Sequence, residues 1–434
     1  IYIYSHLSRK VLQIIVPPFL NLIILFKKKT INIFKRKKVR KMQLTLLAAA
    51  SALLATSVSG KRAYEEISFS NVGFAGTYFP VKKLSDVTSE SKCTCERGTA
   101  TWFSGTNAPL ADHLSVHFRG PISLSKFAFY TSDSFVVGNS GNSSSWSRGA
   151  YYDAESQTSD NLTFMTKAGT NSPCLGNALS YASDNGTGYS SSSTILSSDN
   201  YLSSDEEFAI FSNTACPKSG YKNGCGVYRD GIPAYYGFGG TTKMFLFEFD
   251  MPTESQSNSS SFEYYDMPAI WLLNDHIPRT SQYPTNTNCS CWSSGCGEYD
   301  IFEVMNGTER NHLYSTFHTF QGIEDLGTGI QSDGYIPRDT DSAMMGGVIF
   351  DSNGNTISFI SNSTSFDETL TYENVENWLN SISTNEVLST TLMTISATAP
   401  TTTSKSNAIS FTRLSNDFVY YLFALVAGIF QVIM

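Results

Sequence analysis

The sequence predicts an all-β protein, a sandwich of two packed sheets, on three observations. Turn residues separate many short strand-like runs, long helical periodicity is absent, and aromatic residues are plentiful, with 29 Phe and 23 Tyr among 434 residues. In the run 243–251, Phe245, Phe247 and Phe249 alternate with other residues, which places them on one face of a central strand. In the run 347–360, an Asn-Gly pair between two apolar segments predicts a β-hairpin.

The first 60 residues are predicted to lie outside the folded protein. Residues 1–41 contain 11 Lys and Arg and no Asp or Glu, and Met42 then opens a short apolar run that ends in small residues. Residues 42–60 are therefore predicted to be a secretory signal peptide. Because a signal peptide starts at its own N-terminus, residues 1–41 are interpreted as translated upstream sequence. The alternative is a membrane anchor over residues 11–26, an apolar run broken by two prolines and shorter than the roughly 20 residues of a membrane span.

The charge of the chain argues against a nucleic-acid partner. Without residues 1–41 the chain has 19 basic and 38 acidic residues, a net charge of −19, compared with −8 for the whole sequence. Nucleic-acid binding needs Lys and Arg to replace the counterions of phosphate, and an acidic chain does not supply them. We expect no nucleic-acid partner and a monomer.

The C-terminal residues 407–434 are predicted to be a signal for a glycolipid (GPI) anchor. A polar spacer precedes the apolar run 418–434, no basic residue follows that run, and Ser406 is the predicted attachment site. A transmembrane span, the alternative, usually carries Lys or Arg on its cytoplasmic side. Upstream, residues 381–406 are rich in Ser and Thr and predict a glycosylated stalk. Membrane contact is expected only through the anchor.

Cysteines and glycosylation sequons are both typical of a secreted protein. The chain has eight cysteines, an even number, and this predicts disulfides whose pairing the sequence does not give. Zinc ligation by the closely spaced cysteines at 93–95 and 289–296 stays open as an alternative. Seven sequons begin at Asn142, Asn161, Asn185, Asn258, Asn288, Asn306 and Asn362.

Residues 63–380 remain for the folded part of the chain, which is enough for one large domain and a small one. The segment 63–130 is predicted to be a small N-terminal β unit that carries the first two cysteines. The segment 131–380 is predicted to be the β-sandwich, with Ser-, Asn- and Gly-rich loops between its strands.

Three carboxylates, Glu298, Asp300 and Glu303, lie within six residues that otherwise predict a strand. In a regular strand Glu298 and Asp300 would share one face and Glu303 would point to the other. A β-bulge at Ile301-Phe302 would return Glu303 to the first face, because a bulge places two residues opposite one. Such a face suits glycoside hydrolysis, which commonly uses two carboxyl groups at the scissile bond. The alternative is a strand edge that carries solubilising charges.

The carboxylate motif belongs to a longer series that resembles glycoside hydrolase family 16, the laminarinase-like enzymes. In chain order the series is MPAIWLLN (267–274), Trp292, GEYDIFEVMN (297–306) and STFHTF (315–320). Most of 63–380, including CGVYRDGIPAYYGFGG (225–240), resembles fungal cell-wall proteins of the Tos-one type, which are related to that family. The resemblance implies a concanavalin A-like jelly-roll sandwich, and no cofactor or metal is expected.

Residue roles follow from this resemblance. It implies Glu298 as the nucleophile and Glu303 as the acid/base, with Asp300 between them. His318 matches a histidine that lies beside the acid/base in laminarinase-like enzymes, although a lone histidine on a strand can equally be a packed group.

Two tryptophans are candidates for sugar binding. Trp271 matches the second Trp of the family's Trp-Pro-Ala-x-Trp motif, and Trp292 is a second candidate sugar platform; a core indole would have the same sequence signature. The chain departs from the family at Met267, where the first Trp of that motif is expected, and in the longer segment 275–296, which is expected to reshape or cover the cleft.

We therefore expect a secreted, wall-associated, retaining endo-β-1,3-glucanase whose partner is cell-wall β-glucan. The linkage comes from the resemblance and the wall setting, and the expected location is the cell wall or the outer surface of the plasma membrane. Two alternatives stay open. One is a transglycosylase that resolves the same covalent intermediate with a second sugar, and the other is a non-catalytic wall glycoprotein that binds glucan or contributes structure.

Overall fold

The computed structural model describes residues 61–399 of the chain. The predicted upstream segment, signal peptide and anchor signal, with Ser406, lie outside these residues. Within them the predicted all-β sandwich is confirmed, because two large sheets contain most of the strands and pack over a shared core. No helix in the described part is long and apolar enough to cross a membrane.

The front sheet contains eleven strands and carries the candidate site. In order across the sheet they are Arg62–Ala63, Gly334–Pro337, His312–His318, Glu298–Glu303, Ala269–Asn274, Leu114–Arg119, Glu207–Ser212, Leu162–Thr166, Ser180–Ala182 and Tyr189–Ser190, with Ile330–Gln331 also paired to His312–His318. Four adjacent, antiparallel strands position the site and are labelled β1 (Leu114–Arg119), β2 (Ala269–Asn274), β3 (Glu298–Glu303) and β4 (His312–His318).

The back sheet contains nine strands. In order they are Thr158–Asp160, Trp146–Asp153, Ser123–Thr131, Lys243–Asp250, Met344–Phe350, Thr356–Ile360, Glu66–Ser70 and Val387–Thr391, with Thr369–Leu370 also paired to Trp146–Asp153. The predicted hairpin is confirmed between Met344–Phe350 and Thr356–Ile360, where Gly354 supplies a φ of +80° in the turn.

The remaining elements are short. Three two-stranded sheets pair Asn171–Ser172 with Gly176–Asn177, Gly76–Tyr78 with Thr101–Phe103, and Val81–Ser85 with Thr94–Arg97. The α-helices are α1 (His276–Arg279) and α2 (Tyr372–Asn380), and 3-10 turns cover Ser140–Asn142, Thr287–Cys289, Trp292–Ser294 and Thr384–Glu386.

The core lies between the two large sheets. Phe245, Phe247 and Phe249 are fully buried there, which confirms the predicted apolar face of their strand. The other face of the same strand is buried as well, because Leu246 packs in a second cluster with Trp378 of α2. Both faces of the strand are therefore covered, and its position in the back sheet is fixed by packing on two sides.

The N-terminal segment 63–130 differs from the small separate unit that the sequence predicts. Only residues 76–103 form separate small sheets, whereas Glu66–Ser70 and Ser123–Thr131 are strands of the back sheet and β1 is a strand of the front sheet. A strand pattern has the same period whether its partner is near or far in the chain, so local sequence does not show which sheet a strand joins.

The predicted stalk also begins later than residue 381. Val387–Thr391 pairs in parallel with Glu66–Ser70 at the edge of the back sheet, and Ile382 and Leu392 are both buried. Thr is a favourable strand residue, and the edge position needs little apolar surface. Residues 381–392 thus belong to the sandwich, and the stalk prediction applies only to the residues that follow.

The predicted disulfides are confirmed, since all eight cysteines pair. The bridges are Cys93–Cys174, Cys95–Cys289, Cys216–Cys225 and Cys291–Cys296. Two of them fasten the small N-terminal sheets to distant loops. A bridged cysteine has no thiolate to offer, so the zinc alternative is wrong for these side chains.

Candidate active site

The predicted β-bulge is confirmed in β3. Against β4 the register shifts between Asp300 and Glu303, so that Ile301-Phe302 lies opposite the single residue Ser315. A matching shift occurs against β2. The Ser315 hydroxyl donates a hydrogen bond of 2.8 Å to the Ile301 carbonyl oxygen, which satisfies an acceptor where the ladder is interrupted.

The bulge places all three carboxylates on one face of the front sheet. Asp300 pairs with Trp271 and Glu303 pairs with Ala269, and these two β2 residues share a face because they are two positions apart. Glu298 lies two positions before Asp300 and therefore lies on the same face. This face is the outer one, because Ala269 and Trp271 belong to a cluster outside the core between the sheets.

The Glu298 carboxylate is enclosed by residues of the segment 275–296. Only 3% of Glu298 is exposed. Its Oε1 atom accepts a hydrogen bond of 2.8 Å from Gln282 Nε2, and its Oε2 atom accepts one from the indole Nε1 of Trp292. Burial raises the pKa of Glu298 to about 7, while the charge of His318 and the two N–H donors oppose the rise.

This electrostatic environment predicts how a Glu298→Gln variant behaves. The folded-state pKa lies above the ordinary value of 4.5. Between pH 4.5 and about 7 the unfolded chain therefore releases the Glu298 proton while the folded protein keeps it, and the free energy of unfolding falls as the pH rises. The amide of a glutamine at position 298 does not titrate, so the variant does not lose this free energy of unfolding. We expect the stability of the variant relative to the wild type to rise by up to about 3 kcal/mol between pH 4.5 and pH values above 7. Chemical denaturation across pH 4.5–8 measures the difference, and a difference independent of pH would contradict the assignment.

Asp300 and His318 form a buried pair beside Glu298. Asp300 Oδ2 lies 2.9 Å from His318 Nε2, and His318 Nδ1 donates to the Leu326 carbonyl oxygen. Burial and the charge of Glu303 raise the pKa of Asp300, and the Asp300 carboxylate overcomes the effect of burial to raise the pKa of His318 to about 10. Because both pKa values are raised, the Asp300–His318 pair holds a proton at neutral pH.

Glu303 lies in a more open environment than the other two carboxylates. Its side chain is 18% exposed, and its Oε1 atom accepts a 3.0 Å bond from Arg119 Nη2 of β1. Arg119 is fixed in turn, because its Nε atom donates to the Met267 carbonyl oxygen at 2.9 Å and its guanidinium lies over the ring of Tyr264. Arg119 therefore orients the Glu303 carboxylate from the neighbouring strand.

The two tryptophans occupy different positions relative to the carboxylates. Trp271 is 6% exposed and its ring lies 5.2 Å from that of His117, so most of the indole is packed. Its Nε1 atom has no hydrogen-bond partner within residues 61–399. Trp292 is half-buried and donates to Glu298, a contact that the prediction of a sugar platform does not include.

The segment 275–296 covers the site, as its length suggests. Its start is held by α1, where Arg279 and Asp275 form a buried ion pair, and its end by the bridges Cys95–Cys289 and Cys291–Cys296. Met267, which replaces a family tryptophan, packs against the core between the sheets. The segment, and not Met267, is thus the departure that changes the surroundings of Glu298.

Sequence reasoning missed Arg119 and Gln282 as site residues. Arg119 reaches Glu303 across β2, and only the register of three strands shows this. Gln282 lies in an irregular loop with no motif around it. The only available signal was the unusual length of the segment that contains it.

The largest cavity among those described lies elsewhere. It has a volume of about 1110 Å³ and is lined by parts of residues 82–88, 169–191 and 219–233, with none of the predicted site residues. Volume alone therefore does not identify the site. The carboxylate face has the chemistry that the predicted site needs, because a buried carboxyl held by N–H donors stands on the same strand as a more open one.

Several relatives match most of the chain. A Saccharomyces cerevisiae protein named "Probable circularly permuted 1,3-beta-glucanase YJL171C" is 61% identical over 394 residues, 91% of this chain and 100% of the relative. A Candida albicans protein of the same description, PGA52, is 52% identical over 363 residues, 83% and 93% of the two chains. A second Saccharomyces cerevisiae protein of that description, TOS1, is 32% identical over 431 residues, 73% and 90%. No solved structure matches the chain.

Family models match both parts of the described chain. The model "Cell wall protein YJL171C/Tos1, N-terminal" matches residues 65–132, and "Cell wall protein YJL171C/Tos1, C-terminal" matches residues 144–378. The predicted resemblance to Tos-one-type proteins is thereby confirmed. The chain belongs to the YJL171C/Tos1 family of cell wall proteins.

Proposed function

We propose that this protein is a retaining endo-β-1,3-glucanase that cleaves cell-wall glucan. The observation that carries the proposal is the bulge at Ile301-Phe302, because it gives Glu298, Asp300 and Glu303 a common face. The names of the relatives, which describe 1,3-beta-glucanases, support the substrate class. The role of each residue is assigned from the resemblance to family 16 and from the surroundings of its side chain.

In the proposed first step, the Glu298 carboxylate attacks the anomeric carbon of a glucosyl unit. The bond from that carbon to the leaving sugar's oxygen breaks, and Glu303 gives its proton to this oxygen. In the second step, water attacks the anomeric carbon and gives a proton to Glu303, and Glu298 leaves as a carboxylate. Two displacements at one carbon retain the anomeric configuration.

Asp300 and His318 are assigned a supporting role in this scheme. The pair holds a proton between Oδ2 and Nε2, which limits the negative charge beside Glu298. Three free carboxylates on one short strand would repel one another, and a partly neutralised middle group reduces this repulsion.

The pH dependence of catalysis follows from the surroundings of the nucleophile. Only the ionised form of Glu298 attacks, and burial raises the pKa of this carboxyl to about 7. We expect the pH profile of kcat/KM to contain a limb with an apparent pKa of about 7. Initial rates on a β-1,3-gluco-oligosaccharide between pH 4 and 9 measure this limb, and a profile with no limb near pH 7 would count against the raised pKa of Glu298.

Product analysis tests the proposed function. The secreted protein is incubated with β-1,3-gluco-oligosaccharides of defined length, and the products are analysed by size and by anomeric configuration. Shorter oligosaccharides that appear first as the β-anomer support the proposal. Initial release of the α-anomer would contradict a retaining mechanism. Absence of turnover under conditions where the sugar binds would favour the alternative of a non-catalytic wall glycoprotein.

Transglycosylation is the second candidate, and the burial of Glu298 favours it. Only 3% of this residue is exposed and both carboxylate oxygens are hydrogen-bonded, so access of bulk water to the covalent intermediate is restricted. A bound sugar could then compete with water as the acceptor. Products longer than the starting oligosaccharide, measured in the same assay, would assign this activity.

We also propose that the protein is secreted, N-glycosylated and held at the outer cell surface by a glycolipid anchor attached at Ser406. The predicted signal peptide, the seven sequons and the C-terminal apolar run support this location. Its family of cell wall proteins is consistent with it. Treatment of cells with a phosphatidylinositol-specific phospholipase tests the anchor, since release into the medium is expected only for an anchored protein.

A further inference from the structure

A short irregular loop, residues 281–286, crosses the carboxylate face at Glu298. We call it the cap loop. It joins the end of α1 to the 3-10 turn Thr287–Cys289, and both flanks are fixed, upstream by the buried Arg279 and downstream by the bridge Cys95–Cys289. Fixed ends limit the conformations of so short a connection, so the loop presents its side chains to the site in a defined way.

Tyr283 of the cap loop combines an exposed ring with a hydrogen-bonded hydroxyl. The residue is 68% exposed, one of four large hydrophobic or aromatic side chains found exposed in residues 61–399. Its hydroxyl oxygen accepts a hydrogen bond of 2.9 Å from Gln282 Nε2. The ring packs edge-on against Trp292, with ring centroids 5.0 Å apart.

Gln282 links this tyrosine to the candidate nucleophile. One amide nitrogen, Nε2, donates to Glu298 Oε1 at 2.8 Å and to the Tyr283 hydroxyl oxygen at 2.9 Å, which uses both of its protons. A carboxylate oxygen only accepts, and this fixes the orientation of the amide. The hydroxyl proton of Tyr283 has no acceptor among the described residues, so it is available to a ligand.

We propose that the cap loop is a substrate-contacting element, in which Gln282 is a positioning residue for the Glu298 carboxylate and Tyr283 binds the neighbouring sugar. An aromatic ring offers an apolar face to sugar C–H groups, and its hydroxyl can donate to a sugar oxygen. The ligand class is a neutral glucan chain. Its identity as β-1,3-glucan rests on the proposed function.

Tyr283→Ala tests the sugar-binding part of this proposal. We expect KM for a β-1,3-gluco-oligosaccharide to rise roughly tenfold, the effect of losing about 1.4 kcal/mol of contact energy, while kcat changes little. Tyr283→Phe keeps the ring and should lie between the alanine variant and the wild type. Tyr189→Ala is the matched control, because Tyr189 is 65% exposed at the far edge of the front sheet.

Gln282→Leu tests the positioning part. The N–H donor stabilises the ionised form of Glu298, so its loss should move the limb of kcat/KM near pH 7 to higher pH and lower kcat, with KM unchanged. A purely structural role would lower activity at every pH by the same factor. An unshifted limb overturns the positioning role.

Binding and stability measurements separate this proposal from the proposed function. If the wild type binds an oligosaccharide in calorimetric titration but turns none over, the proposed glucanase function is wrong. Weaker binding by Tyr283→Ala than by Tyr189→Ala would still support the sugar-binding role of the cap loop. Equal binding by the two variants, or no binding by the wild type, overturns it. Thermal melting of each variant confirms that it is folded, which the exposure of Tyr283 predicts.

Discussion

Glu298→Gln is expected to lower kcat/KM for β-1,3-gluco-oligosaccharides by roughly 10⁴-fold or more, the scale seen when a covalent nucleophile is removed. The amide cannot form the glycosyl ester, and it also presents an NH₂ group to one of the two N–H donors that hold Glu298. Steady-state rates on a defined oligosaccharide measure the loss. Retention of more than about a hundredth of the wild-type rate would contradict the role of Glu298.

Glu303→Gln provides the matched comparison on the same strand. It removes the proton donor but leaves the nucleophile, so a substrate with a good leaving group should still be cleaved to the intermediate. We expect a large loss of kcat/KM on oligosaccharides and a much smaller loss on an oligosaccharide with an aryl leaving group. Equal losses on both substrates would argue that Glu303 does not protonate the leaving group.

Removal of the bridge Cys95–Cys289 is expected to have the second largest effect. The cysteines are 194 positions apart, and the double variant Cys95→Ala, Cys289→Ala should lose roughly 2–4 kcal/mol of unfolding free energy. Activity should fall as well, because Cys289 lies between Gln282 and Trp292, the two donors to Glu298. A misplaced site commonly costs roughly a hundredfold in rate.

The bridge Cys216–Cys225 is the control for this prediction. Its cysteines are only nine positions apart, so its removal relaxes a short loop and should cost less stability. Denaturant unfolding and steady-state rates are measured for both double variants. If the loss of Cys95–Cys289 leaves stability and rate at wild-type values, the bridge does not hold the cap loop in place.

The sequence predicted the features that depend on local spacing. Asp300 and Glu303 are an odd number of positions apart, and side-chain direction in a strand has a period of two. Glu303 therefore returns to the face of Asp300 only if a bulge adds an extra residue between them. The alternation of Phe245, Phe247 and Phe249 and the Asn-Gly turn of the hairpin are local in the same sense. These features are confirmed.

Features that depend on distant pairing were not predictable in this way. Arg119 meets Glu303 because β1 and β3 both flank β2, and strand order in a sheet has no local signature. The same limit explains why 63–130 divides between two sheets and why Val387–Thr391 joins the sandwich. The contact between Trp292 and Glu298 required the fold of an irregular segment held by disulfides.

The roles of Glu298 and Glu303 as nucleophile and acid/base stay predictions from the resemblance. The bulge gives the two residues a common face, and their surroundings differ. Glu298 is enclosed and held by two N–H donors, whereas Glu303 is more open and contacts Arg119. Which carboxylate forms the covalent bond is therefore the decisive question.

Trapping of the covalent intermediate answers that question most directly. The wild-type protein is incubated with a 2-deoxy-2-fluoro β-1,3-gluco-oligosaccharide that carries an activated leaving group, which slows release of the glycosyl-enzyme. Peptide mass spectrometry then locates the attached sugar. We expect one label, on Glu298. A label on Glu303, or turnover of the reagent with no label on either carboxylate, would contradict it.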